Sequence, residues 1–109
     1  VFGRQAKLAE AEAEYRLELE AQPRSLEALS GLAIVAASRG DIAEASRRID
    51  AMVRTLPTAE AYLTGFASLR SFGRPDQARV LLAEGRRAFP LDARLAREEN
   101  ALANPGRAR

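Results

Sequence analysis

The 109-residue chain contains neither His nor Cys, so the groups left for chemistry are 15 carboxylates, 17 basic side chains of which only Lys7 is lysine, and Ser, Thr and Tyr hydroxyls. Acid–base and nucleophilic catalysis need a poised base beside a nucleophile, and without His or Cys that pairing falls to Ser or Tyr with Glu, Asp or Lys7. Lys7 belongs to an outer helix. Glu98 and Glu99 are sequence neighbours that point to different faces of a helix, which rules out a paired-carboxylate site there. Gly3, Gly31, Gly40, Gly65, Gly73, Gly85 and Gly106 stand isolated, so no glycine-rich loop cradles a phosphate. The common zinc and haem ligand sets are missing. The expectation is a chain with no catalytic residue, no metal and no cofactor, and an enzymatic activity would reside in another domain of a longer protein.

Binding is then the remaining role, and charge narrows it. Residues 1–23 sum to −2 (three basic, five acidic), 24–57 to +1 (five, four), 58–90 to +2 (five, three) and 91–109 to +1 (four, three), giving the net +2. A nucleic-acid binder concentrates Lys and Arg on one face to neutralise phosphates. No block here does so, and no nucleic-acid partner is expected. No stretch approaches the roughly 20 apolar residues of a membrane-spanning helix. Absence of Cys suits cytoplasm and periplasm alike, with the cytoplasm the expected compartment. The chain begins at Val1 rather than Met and is read as an excised or processed piece. Its 23 alanines and its preference for Arg are those of a bacterial, high-GC coding sequence.

Pro23, Pro57 and Pro90 each close a helical stretch, 34 and then 33 residues apart, and Gly40 and Gly73 each lie seventeen residues before the following proline. Each repeat therefore reads as two helices joined by a tight turn. Residues 4–21 form a first helix with Leu8, Ala11, Tyr15 and Leu19 on one stripe. Ser25 caps a second helix carrying Leu29, Leu32, Ala33 and Ala36 and ending at Gly40. Asp41 caps a third, with Glu44 completing a capping box and Ile42, Ala45, Ile49, Met52 and Val53 inward. Thr58 caps a fourth holding Leu63, Phe66, Ala67 and Leu69. Pro75 opens a fifth with Ala78, Leu81, Leu82 and Gly85. Asp92 caps a sixth with Leu95, Ala96, Glu99 and Leu102. Asn104-Pro105-Gly106 ends it, leaving 105–109 as a flexible tail. No apolar–polar alternation signals a strand, so the fold class is all-α.

At these spacings the chain resembles the tetratricopeptide repeat (TPR) family. In the middle unit Leu29, Leu32, Ala33, Ala36, Gly40, Asp41, Ala45, Ile49, Val53 and Pro57 match the family signature, with Ile49 in place of its usual aromatic. Leu63, Phe66, Ala67, Gly73, Ala78, Leu82, Gly85 and Pro90 match in the next unit if one residue is deleted near the end of the fourth helix. Gly85 would be the small residue beside a closely approaching backbone, whereas Met52 and Glu18 stand where the family prefers a small residue. The resemblance implies a right-handed superhelical stack of antiparallel helix pairs, about six helices in one domain over 1–104. Its parts are 1–23 (the second helix of an incomplete repeat), the full repeats 24–57 and 58–90, and a terminal helix over 91–104.

By the same resemblance the first helix of each pair lines a concave groove that takes a partner's peptide or helix. The lining is Glu27, Ser30, Ile34, Ala37 and Ser38 from the second helix and Ala61, Tyr62, Thr64, Ser68 and Ser71 from the fourth, extended by Arg94 and Arg97 of the sixth. Ile34 is the apolar residue that such a partner would cover, and Tyr62 either anchors a ligand or packs against the second helix. Family members that clamp a terminal carboxylate do so with charge-assisted donors; Ser30, Ile34, Thr64 and Ser68 do not supply them. The expected function is a protein-interaction adaptor or scaffold binding a protein or peptide. The alternatives are a self-associating segment, with a homodimer through the exposed first helix, or an architectural piece of a larger assembly. An RNA-binding helical repeat is the weakest of these, because Ile34 and Ala37 make a poor base reader.

Overall fold

The computed structural model describes residues 2–104, and within them every regular element is helical. The order is α1 (Phe2–Ala21), α2 (Leu26–Ser38), α3 (Ile42–Thr55), α4 (Ala59–Ser71), α5 (Pro75–Ala88) and α6 (Ala93–Ala103). All six expected helices are present, and the 105–109 segment lies outside the described residues. The chain divides into two compact units, Val1–Pro57 and Thr58–Arg109, at the proline where the sequence repeat ends. In the first unit α2 packs on both α1 and α3; in the second, α4 packs on α5 and α6 packs on both.

Local chemistry explains where each helix starts and stops. Side chains of Ser25, Asp41 and Thr58 accept the backbone N–H three residues on, each at 3.1 Å. Asp92 Oδ1 accepts from Arg94 at 2.9 Å and Leu95 at 3.1 Å. These bonds satisfy amides that the first helical turn leaves without partners. α5 has no side-chain cap and starts on Pro75, whose missing N–H leaves one orphan fewer.

α2 and α4 end alike. Gly40 and Gly73 take the left-handed conformation, with φ of +87° and +78°. Gly40 N–H donates to Ala37 O and Asp41 N–H to Ala36 O, both at 2.9 Å; Gly73 donates to Arg70 O at 3.1 Å and Arg74 to Leu69 O at 2.8 Å. Both ends are Schellman motifs, which need a residue without a Cβ penalty at positive φ. The motif also corrects the expected capping box. Asp41 N–H is already given to Ala36 O, so Glu44 has no amide to receive, and its carboxylate instead pairs with Arg47 at 2.8 Å and Arg48 at 3.1 Å.

The core of the first unit is Ala28, Leu32, Ala33, Val35 and Ala36 of α2 with Ala45, Ile49, Met52 and Val53 of α3; that of the second is Ala61, Phe66, Leu69, Ala78, Leu81, Leu82 and Leu95. Full burial of each large aliphatic side chain stabilises by roughly 1.5–3 kcal/mol. Ala28, Leu32, Ala33 and Ala36 correspond to Ala61, Gly65, Phe66 and Leu69 at a constant offset of 33, and all eight are buried. The caps Ser25 and Thr58 and the turn glycines Gly40 and Gly73 keep the same offset. No deletion occurs in α4, which is as long as α2 at 13 residues. Ala67, expected inward, is exposed because the true counterpart of Ala33 is Phe66. The extra residue of the first spacing lies between Pro23 and Ser25, since Pro57 abuts Thr58 directly.

Candidate interaction faces

On α2, Glu27, Ser30, Ile34, Ala37 and Ser38 recur at three or four residues and share one side of the helix. Glu27 is exposed, Ser30, Ala37 and Ser38 are half-buried, and Ile34 keeps 51% of its surface exposed. The Ser30 hydroxyl donates to the Glu27 carbonyl at 3.3 Å, so part of its bonding capacity is spent on its own helix.

On α4 the expected lining is displaced. Ala61 is 0% exposed, because it belongs to the buried stripe Ala61–Gly65–Leu69, and it leaves nothing for a partner to touch. Thr64 and Ser68 are half-buried and correspond, at the offset of 33, to Gly31 and Val35 rather than to the Ile34 side. Tyr62 is half-buried against α5: its ring meets Phe89 edge-on at 6.2 Å between centroids, and a Cβ built on Gly85 would lie 3.0 Å from Tyr62 Cβ. What approaches Gly85 is therefore this tyrosine side chain and not a neighbouring backbone. The counterparts of Glu27, Ser30, Ile34 and Ala37 are Glu60, Leu63, Ala67 and Arg70, which the sequence reading passed over; Ser71 corresponds to Ser38 and is exposed. The signal was the separation of the two capping residues. Arg70 lies over the Phe66 ring, 5.3 Å from its centroid, a cation–π contact at the foot of this side.

α6 supplies exposed Arg94 and Arg97 with half-buried Ala101 at the same phase relative to its cap. Arg94 pairs with Asp92 at 3.1 Å. Hydrogen bonding from the Arg94 guanidinium, then from the Leu95 amide, holds the Asp92 carboxyl below its ordinary range. Arg94 is in turn raised, first by that bond and the Asp92 charge, with Glu60 of α4 adding a smaller push. Within the second unit, a carboxylate of α4 and a guanidinium of α6 thus share one field.

The flank of the Ile34 side of α2, at Gly31 and reaching Ser38, is occupied by α1. A Cβ built on Gly31 would overlap the Tyr15 ring, so the ring fills the place that a side chain at 31 would take. One turn before Tyr15, Glu12 accepts from Arg16 at 2.7 Å and from Arg39, the residue that ends α2, at 2.5 Å. These two bonds, Arg16 first, lower its pKa. One turn after, Glu18 accepts the Ser25 hydroxyl, the same group that caps α2. That bond accounts for a glutamate at a position where a small residue was expected. The chain matches no protein-family model, no curated protein and no solved structure.

Proposed function

We propose that this chain is a TPR-type protein-interaction module that binds a peptide or helix of a partner protein on the Ile34-bearing side of α2, the first helix of its pair. The observation that carries the reading is Ile34, half exposed in the middle of a side otherwise made of Glu27, Ser30, Ala37 and Ser38. A branched aliphatic side chain left in water at the centre of a polar and small-residue stripe is the anchor pattern of an interface: an apolar centre within a rim that stays hydrated. Support also comes from the repeated hairpin, since both close on the same Schellman turn and in each the first helix buries one stripe and leaves another side in water. Within the second unit, Glu60, Leu63, Ala67 and Arg70 of α4 hold the corresponding places at the offset of 33.

A tagged chain and its Ile34→Glu variant, compared in quantitative capture from a bacterial lysate with partners identified by mass spectrometry, test this reading. The partner retained by the parent should fall at least about tenfold with the variant, the size expected for a hot spot of about 1.4 kcal/mol or more, while both chains keep the same helical circular dichroism. Equal recovery of every captured protein by the two chains overturns it.

A further inference from the structure

α1 is attached differently from every other helix. α2 to α6 each contribute at least one buried side chain, whereas no described side chain of α1 is buried. Its attachment to α2 is a half-buried stripe of Leu8, Ala11, Tyr15 and Leu19, in which the tyrosine sits in a glycine notch flanked by Glu12 to Arg39 and by Glu18 to Ser25. Towards the start of α1, Arg4 reaches the Ser38 carbonyl in a long contact of 3.4 Å. The connection is four residues, Gln22 to Ser25, exposed at Pro23 and closed by a turn in which Ser25 N–H donates to Gln22 O at 3.1 Å.

We infer that the side of α2 covered by α1 is an exchangeable docking surface, on which α1 of a second copy of this chain replaces the chain's own. The charge pattern selects that occupant: Arg39 faces a carboxylate one turn before the aromatic anchor, and the Ser25 hydroxyl donates to a carboxylate one turn after it. α1 itself presents both at that spacing. Exchange preserves every one of these bonds, so what opposes it is the loss of chain connectivity and what favours it is concentration. An element with no wholly buried described side chain opens at lower cost than the core. The Ala- and Glu-rich sequence of α1 retains some helical preference once released. The surface flanks the Ile34 side and meets it at Ser38, whose carbonyl Arg4 reaches; its own contacts, Tyr15 with Gly31 and Glu12 with Arg39, do not include Ile34, so the two readings are tested by different residues.

The experiment uses the full chain and a fluorescein-labelled peptide of residues 2–22, read by anisotropy as the chain is titrated, beside the same peptide carrying Tyr15→Ala. Saturable binding by the parent peptide, at least about tenfold tighter than by the Tyr15→Ala peptide, is the expected result. Because the chain's own α1 competes, the measured affinity is the intrinsic affinity multiplied by the fraction of chains in which α1 is open. No saturable binding, or equal binding by the two peptides, overturns the proposal.

Discussion

The hairpins α2–α3 and α4–α5 use the same turn to different ends. At three positions related by the offset of 33, the first places Leu29, Met52 and Leu56, and the second Tyr62, Gly85 and Phe89. The backbone at these places starts and stops alike in both, from capping residue to left-handed glycine. What has been exchanged is volume. The long Met52 side chain is wholly buried in the first hairpin, and where the second has no side chain at Gly85, the Tyr62 ring fills the room and meets Phe89 edge-on. A helix crossing of fixed geometry must be filled to near-crystalline density, but either helix can supply the atoms. The comparison separates what a repeat must keep, the turn, from what it can trade, the filler.

The largest expected effect comes from emptying one hairpin. Met52→Ala should destabilise the first unit by about 2–5 kcal/mol, through lost burial and the cavity left behind. Urea unfolding followed by circular dichroism measures it. A cost under about 1 kcal/mol would mean that the first hairpin does not depend on Met52 as filler, which breaks the comparison.

Filling the other hairpin twice is the converse test. Gly85→Met places atoms where Tyr62 already lies and should cost about 1–3 kcal/mol by overpacking. Adding Tyr62→Leu recreates the combination of the first hairpin and should recover much of that loss. The double-mutant cycle then shows a favourable coupling between sites 62 and 85, whereas simple additivity would mean that the two positions do not share one space.

The two hairpins also differ at the start of their second helices. Asp41 caps α3 with its carboxylate, while Arg74 at the same place makes no side-chain cap and Pro75 follows. Asp41→Ala should therefore cost about 1 kcal/mol and Arg74→Ala close to nothing, both read from the unfolding midpoint. Equal costs would show that the proline does not stand in for the cap.

This contrast also explains how much of the molecule was legible beforehand. Seven helix boundaries follow from chemistry within four or five residues: Ser25, Asp41, Thr58 and Asp92 as caps, Gly40 and Gly73 as stops, Pro75 as a start. A reader of the sequence meets all of these side by side. The register of α4 was lost because Leu63, Phe66 and Ala67 imitate the apolar spacing of Leu29, Leu32 and Ala33 at an offset of 34, and only the caps break the tie. Four of the α4 positions expected to line a groove moved with it: Ala61 to the core, Tyr62 onto α5, and Thr64 and Ser68 to the side that corresponds to Gly31 and Val35. The Gly31 notch was illegible for another reason, since its meaning depends on Tyr15, which comes from a different helix. Ile34, by contrast, could be placed on an exposed side from helical period alone.

The smallest expected effect distinguishes the outer helices of the two units. α6 is held by buried Leu95 and by the Arg86–Glu99 pair at 3.0 Å; α1 has no buried described side chain and relies in part on Glu12 between Arg16 and Arg39. Glu12 titrates below its unfolded value of about 4.3 because the bonds from Arg16 and Arg39 favour the carboxylate. A depressed folded value stabilises above the unfolded one, and that stabilisation is lost as pH falls through the lowered range. Acidification should therefore reduce amide protection in α1; α6 has its own acid-sensitive group in the Asp92 cap, so the share due to Glu12 is read from what Arg39→Ala changes in α1. Because the pair is partly in water, the effect is small and shrinks with salt. Protection factors measured against pH, with Arg39→Ala alongside, decide it: the variant should show less protection of α1 at neutral pH and less acid sensitivity there. If Arg39→Ala behaves as the parent in α1, the ion pair does not hold α1, and the attachment rests on the Tyr15 ring in the Gly31 notch, the Glu18–Ser25 bond and the half-buried Leu8, Ala11 and Leu19.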